Sequence, residues 1–117
     1  MHPDAFVDGF LLAVPDASKE RYREIATVAA QAFRRHGATE VVECWGEDVP
    51  EGRLTSMPMA VKLEAGESVV FAWVVWPSRA VRDAGMKAFM EDPSLHLDMP
   101  FDGKRMIFGG FRVLVSA

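Results

Sequence analysis

From Ala5 to Val14 nearly every position is apolar, with Phe6, Phe10, Leu12 and Val14 on one parity and Val7, Gly9, Leu11 and Ala13 on the other. Successive strand residues face opposite ways, so the pattern predicts a strand covered on both faces. Pro15 and Asp16 stop it, and Asp16 or Ser18 is placed to cap the helix that follows. In that helix Tyr22, Ile25, Ala26, Ala29, Ala32 and Phe33 recur at spacings of three and four, while Lys19, Glu20, Arg23, Glu24 and Arg34 fall largely outside the stripe. Gly37, just after the basic triplet Arg34, Arg35, His36, is where a left-handed cap is expected to end it.

Thr39 to Glu47 alternates Val41, Glu43 and Trp45 with Val42, Cys44 and Gly46, a strand period with one more polar face. Ser68 to Trp76 carries Val, Phe and Trp on both parities, as an interior strand does. Pro77 breaks that run. Ser78 then caps a second expected helix through about Glu91, whose packing stripe is Val81, Ala84, Gly85, Ala88 and Phe89. Met106 to Val115 reads as a fourth strand, with Gly109 and Gly110 suggesting a bulge or a close backbone approach. The stretch from Val49 to Glu67 is long for a loop and greasy at Leu54, Met57, Met59, Val61 and Leu63. A turn of helix is expected between Ser56 and Lys62, lying on a partner or over a pocket.

The order strand, helix, strand, strand, helix, strand is the split pattern of an α+β, ferredoxin-like βαββαβ fold, a four-stranded antiparallel sheet with two helices on one face. Right-handed crossovers are expected to make strands one and three parallel neighbours at the centre, with strands two and four antiparallel at the edges. The second sheet face is then apolar and has no element of its own large enough to cover it. A homodimer closing two such faces is the economical answer.

Composition narrows the class. The chain has 117 residues, half of them hydrophobic and 26% charged, which suits one domain over residues 1–117 rather than a disordered or disulfide-built chain. Its longest apolar run, Val69 to Trp76, is far too short to span a bilayer, and no secretory signal is visible, so no membrane partner and a cytoplasmic location are expected. Net charge is −4, opposite to the footprint of a nucleic-acid binder. One cysteine, Cys44, cannot form an internal disulfide.

The segments Phe6-Val7-Asp8-Gly9-Phe10, Val42-Glu43-Cys44, Arg53-Leu54-Thr55-Ser56, Trp76 through Asp83 and, longest, Met99 through Phe111 resemble the YbaA-like bacterial proteins, a domain-of-unknown-function family. The resemblance spans nearly the whole chain. It implies a dimeric α/β barrel, in a superfamily that also holds cofactor-free monooxygenases, muconolactone isomerase-like proteins and stress-response barrels. It implies no established activity and no catalytic residues.

The residues themselves offer several constellations. Arg79 and Arg82 lie in the first turn of the second helix, and Lys104 and Arg105 are expected to enter the fourth strand at the same sheet end, where together they would favour a carboxylate or phosphate. Pairing with Asp83, Asp102 or a partner's acid is the structural alternative. Asp8 and Glu43 are acids inside apolar strand patterns. Burial would raise either toward the range of a general base, and Arg105 or Arg112 would equally make them structural ion pairs. Glu43 is the better candidate base because Trp45, on its parity, offers an aromatic wall. His96 with Asp98 forms a possible acid–base pair if its loop covers a cavity, and a solvated loop histidine otherwise. Trp45 and Trp73 suit an aromatic ligand or a barrel core. No metal-ligand spacing and no dinucleotide or phosphate loop is present, so neither a metal nor a cofactor is expected. These features support two readings. One is a small site that binds or converts an anionic or aromatic metabolite without a cofactor, in the manner of a monooxygenase or isomerase. The other is a non-catalytic homodimeric interaction or stress-response module.

Overall fold

A computed structural model describes residues 1–95 and 98–117. β1 (Phe6–Pro15) leads through a short 3₁₀ turn (Asp16–Ser18) into α1 (Lys19–Arg35), followed by β2 (Glu40–Trp45), the short α2 (Met57–Ala60), β3 (Glu67–Trp76), α3 (Arg79–Glu91), a second 3₁₀ turn (Gly103–Arg105) and β4 (Ile107–Arg112). The sheet order is β2-β3-β1-β4 and every neighbouring pair is antiparallel. The ferredoxin-like α+β architecture is therefore as expected, but the central pair is not parallel. The β1-α1-β2 crossover makes β1 and β2 run the same way, and β3 inserts between them in the reverse direction after a hairpin-like return. Among the described residues no helix is long and apolar enough to cross a membrane.

Parity sorts the side chains. On the face covered by α1 and α3, Phe6, Val74 and Trp76 form one core cluster with Ala38, and Leu12, Val14 and Val70 form a second with Tyr22. Phe33 of α1 stacks on Phe89 of α3 with ring centres 3.9 Å apart and meets the Trp76 ring edge-on, locking the two helices to each other and to the sheet. Ser78 caps α3 as expected, its hydroxyl accepting from the Val81 amide at 3.2 Å. Neither Asp16 nor Ser18 caps α1. The Ser68 hydroxyl instead donates to Asp16 at 2.5 Å, tying the turn to β3. Gly37 takes φ of 112°, a left-handed conformation that glycine adopts without steric cost, and the chain turns there into β2.

On the opposite face the expected uncovered surface is partly covered. The Ser56 hydroxyl accepts from the Met59 amide and starts α2, and Val61 and Leu63 after it pack on Ala13 and Val69. The rest of that face stays open, with Phe71 43% and Phe111 61% exposed. β4 is shorter than its apolar pattern suggests. β1 begins at Phe6, opposite Arg112, so beyond Arg112 only the Val113 amide still reaches across, to the Ala5 carbonyl, and Leu114 and Val115 are exposed. No bulge occurs at Gly109 and Gly110. The close approach does, because a Cβ on Gly110 would lie 2.7 Å from the Phe6 ring.

The tightest helix-to-sheet contact is at Gly85 of α3, where a Cβ would fall 2.4 Å from both the His36 carbonyl oxygen and the Trp76 ring. Gly85→Ala must push α3 off α1 and β3, and we expect a loss of about 2–3 kcal/mol in urea unfolding. Gly103→Ala, with nothing within 4 Å of the new methyl, should stay within about 0.5 kcal/mol. Equal effects of the two substitutions would show that α3 is not seated as described.

Candidate functional site

The sheet and the two long helices do not meet everywhere. In the row across the sheet set by Phe10, Ala72 and Glu43, the central strand offers only a methyl group. Above it α1 presents Ala26 and Ala29, so small side chains face small side chains and leave a chamber of about 370 Å³. Its walls are Phe10, Leu12 and Val74 from the sheet, Ile25 and Phe33 from α1, Met86 and Phe89 from α3, and Phe101 and Met106 from the segment before β4. Exposed Met90 and Met99 mark where the chamber reaches the surface.

Two groups on this wall carry ionisable chemistry. The Tyr22 hydroxyl of α1 donates to Glu43 Oε1 of β2 at 2.5 Å. Burial, then the charge of Glu43 and the bond to it, push the Tyr22 hydroxyl far above the ordinary tyrosine range, so Tyr22 remains a donor. Burial also raises the Glu43 carboxyl, and the bond from Tyr22 opposes that rise only in part. Protein packs around much of the Glu43 carboxyl, yet the residue as a whole is exposed at the sheet edge, and it lines the chamber. A carboxyl held above its usual range, with one oxygen oriented by a hydroxyl, is suited to take a proton from a ligand and give it back.

Of the described candidate site residues singled out in the sequence, Glu43 alone reaches this chamber. Asp8 is buried and is not available: Arg82 Nη2 and Nε donate to it at 2.8 and 3.1 Å, and Trp76 Nε1 at 2.9 Å. The structural alternative holds for Asp8, with Arg82 as partner rather than Arg105 or Arg112. Arg82 also bonds Asp83, and Arg79 pairs with Asp83 at 3.6 Å from the exposed surface of α3. The four basic residues do not converge. In the antiparallel sheet α3 starts beside Phe6, whereas β4 starts opposite Leu11, which puts Lys104 and Arg105 at the other end. There Arg105 grips Glu67 through two bonds of 2.7 and 2.8 Å and donates to Asp102 and the Lys62 carbonyl. Trp73 points to the open face, against Phe71, and bonds Glu40. Trp45 lies on the helix-covered side but in a separate, outer pocket. His96 lies outside the described residues. Among those that are described, no three His, Cys, Asp or Glu side chains gather as metal ligands would.

Tyr22 was the residue that pattern reading missed, since it merged into the apolar stripe of α1. Its hydroxyl was the available signal: a tyrosine on a buried stripe needs a hydrogen-bond partner, and Glu43 was the acid left unexplained on a strand of the covered face.

A titration checks the site. A carboxyl with a raised folded pKa makes the folded state the tighter proton binder, so wild-type stability falls as pH rises from the ordinary glutamate value, near 4.5, through the raised one. Glu43→Gln removes that titration and keeps an acceptor for Tyr22. Its stability relative to wild type should therefore climb across this window in urea midpoints taken from pH 4 to pH 8. A constant difference would mean that Glu43 is not held above its usual value.

Residues 5–103 match the family described as protein of unknown function (DUF1428). The uncharacterized protein YbaA of Escherichia coli strain K12 is 50% identical over 114 residues, covering 95% of this chain and 97% of that protein, and YbaA of Shigella flexneri matches to the same extent. Among solved structures, SnoaB, a cofactor-independent oxygenase from Streptomyces nogalater, superposes with a TM-score of 0.60 at 13% identity over 97% of this chain and 96% of that one. A dimeric ferredoxin-like protein from an uncultured marine organism gives 0.57 at 13% identity, over 97% and 98%. These structures share the fold. Identity over nearly the full length and the matched residues together make the chain a member of the DUF1428 family.

Proposed function

We propose that the protein binds a small, largely aromatic metabolite in the chamber between sheet and helices, and that Glu43, oriented by Tyr22, moves a proton on and off it without a cofactor. One observation carries this reading: the only ionisable pair on the wall of a large apolar chamber, among the described residues, is a hydrogen-bonded acid with raised pKa and a hydroxyl donor. Removing a proton from one carbon and returning it to another is an isomerisation, and it balances with Glu43 alone. A carbanion made the same way is open to dioxygen, which supplies the oxidant for an oxygenation. SnoaB, which shares the fold, is a cofactor-independent oxygenase. Because Arg79, Arg82, Lys104 and Arg105 meet carboxylates of the chain or lie apart, the lining supports aromatic rather than strongly anionic character.

Naphthalene and 2-naphthol are suitable probes. An apolar ring should bind in the chamber, and the naphthol hydroxyl should add a bond to Glu43 of about 1.5 kcal/mol, roughly tenfold in affinity. At pH 8 we expect 2-naphthol to bind at least tenfold tighter than naphthalene, and Glu43→Leu to abolish that preference while keeping naphthalene. Met86→Trp, which fills the chamber, should weaken both. Absence of saturable binding of either probe would sink the reading.

We infer further that two copies pair through the open sheet face. Exposed Phe71 and Phe111 share it with half-buried Trp73, and among the described residues no element beyond α2 shelters them. The marine protein of the same fold is dimeric. Sedimentation at micromolar concentration should give a dimer, and Phe71→Asp a folded monomer. A wild-type chain that sediments as one fully folded subunit would overturn the pairing.

A further inference from the structure

Glu43 belongs to two chambers. Behind the Tyr22–Glu43 pair, between α1 and the edge strand β2, lies a second pocket of about 260 Å³. Among the described residues the two share only Tyr22, Ala26 and Glu43. Their other walls differ in kind. The inner chamber is lined by aliphatic, aromatic and methionine side chains, whereas the outer one adds a rim of Lys19, Arg23 and Thr27 to a floor of Ala30, Val41, Cys44, Trp45 and Val70. Lys19 Nζ stands 5.2 Å above the Trp45 ring, and Arg23 turns outward to Glu20. An apolar hollow favours an apolar guest, while a pocket rimmed by ammonium and guanidinium groups is the one better able to admit water.

From this placement we propose that the outer pocket is a solvent port for Glu43. The ligand enters the inner chamber past Met90 and Met99, and the proton travels by the other door. The idea rests on the reading of Glu43 as the group that exchanges a proton with the ligand. In the forward step the ligand's C–H or O–H bond breaks, its electron pair stays on the ligand, and the proton joins a Glu43 carboxylate oxygen. Water in the outer pocket then removes that proton, or returns it in the reverse direction. Tyr22 keeps its own proton throughout and holds the carboxylate in the partition. Glu43 is exposed in the empty protein, and a guest that fills the apolar chamber covers the side of the carboxyl that faces it. With a second opening, Glu43 is reset while the guest remains.

The port is tested by chemical access to the carboxyl. A water-soluble carbodiimide with glycine methyl ester converts accessible carboxyls to amides, and peptide mass spectrometry reads Glu43 separately from surface Glu20, the internal reference. With the inner chamber occupied, by saturating naphthalene or by Met86→Trp, Glu43 should still label within about twofold of its rate in the unoccupied protein. Thr27→Trp projects from an exposed position that lines the outer pocket alone. Combined with an occupied inner chamber, it should slow Glu43 labelling at least tenfold and leave Glu20 unchanged. Ala30→Phe, which lines the same pocket, is the second variant should Thr27→Trp fail to fold. Complete protection of Glu43 by inner occupancy alone would overturn the proposal, as would undiminished labelling when both chambers are filled. Failure of naphthalene to bind counts instead against the ligand reading, and the port is then judged with Met86→Trp as the inner occupant.

Discussion

The ten-residue antiparallel pairing of β1 with β3 is the constraint on which the remainder of this molecule depends. Phe6 faces Trp76, Asp8 faces Val74 and Phe10 faces Ala72, and a slip of one residue would exchange the faces of the whole strand. The register of β2 on β3 then puts Glu43 beside Ala72. One row across the sheet therefore reads Phe108, Phe10, Ala72, Glu43. The chamber exists because the smallest member of that row lies under Ala26 and Ala29 of α1. Cores of folded proteins are close-packed, and lining atoms without neighbours forfeit dispersion contacts. A hollow of this size between sheet and helices is thus a feature the fold carries at a cost in stability.

Three carboxylates, two withdrawn from water and one exposed, show how differently the same group can be used. Asp8 is met on both oxygens by Arg82 and from the side by Trp76, so its charge is compensated by donors fixed to β3 and α3. Glu67 is held by Arg105 in a two-point grip that lowers its pKa and fastens the segment before β4 to the start of β3. Among the described residues Glu43 has one donor, a neutral hydroxyl, and no cation as a hydrogen-bond partner. The first two fasten elements of the fold to one another, and the third, among the described residues, keeps one carboxylate oxygen without a donor. That difference in compensation, more than proximity to a cavity, separates the structural acids from the chemically available one.

The two faces of the sheet have divided labour. The helix-covered face holds the chamber, and the other is sealed at one end by Val61 and Leu63 and open at the other. Arg105 touches both territories. Its guanidinium donates to the Lys62 carbonyl, one residue from Val61, while its neighbours Phe101 and Met106 line the chamber. Lys62 itself takes φ of 50°, the one non-glycine residue in the left-handed region among those described. The segment under the open face and the wall of the chamber are therefore fastened to one another through a single side chain.

Periodicity alone made the element order, the two amphipathic helices and the parity of β1 and β3 legible, because local burial pattern depends only on which residues repeat every two or every three to four positions. The resemblance in Met99 through Phe111 identified the family for the same local reason. Strand direction was not local: the relative sense of β1 and β3 depends on how the β1-α1-β2 crossover leaves a gap, and reasoning along the chain mistook it. That error carried the basic residues to one end of the sheet, when antiparallel pairing separates Arg79 and Arg82 from Lys104 and Arg105 by most of its length. Glu43 was recognisable as an acid out of place, yet its partner Tyr22 lies 21 positions away on another element, and the small-on-small contact that opens the chamber involves α1 and β3. Composition and spacing set which elements form and which faces are apolar. Packing in three dimensions decided which acid is neutralised and which is left facing a cavity, since compensation of a buried charge and empty volume are properties of neighbours in space.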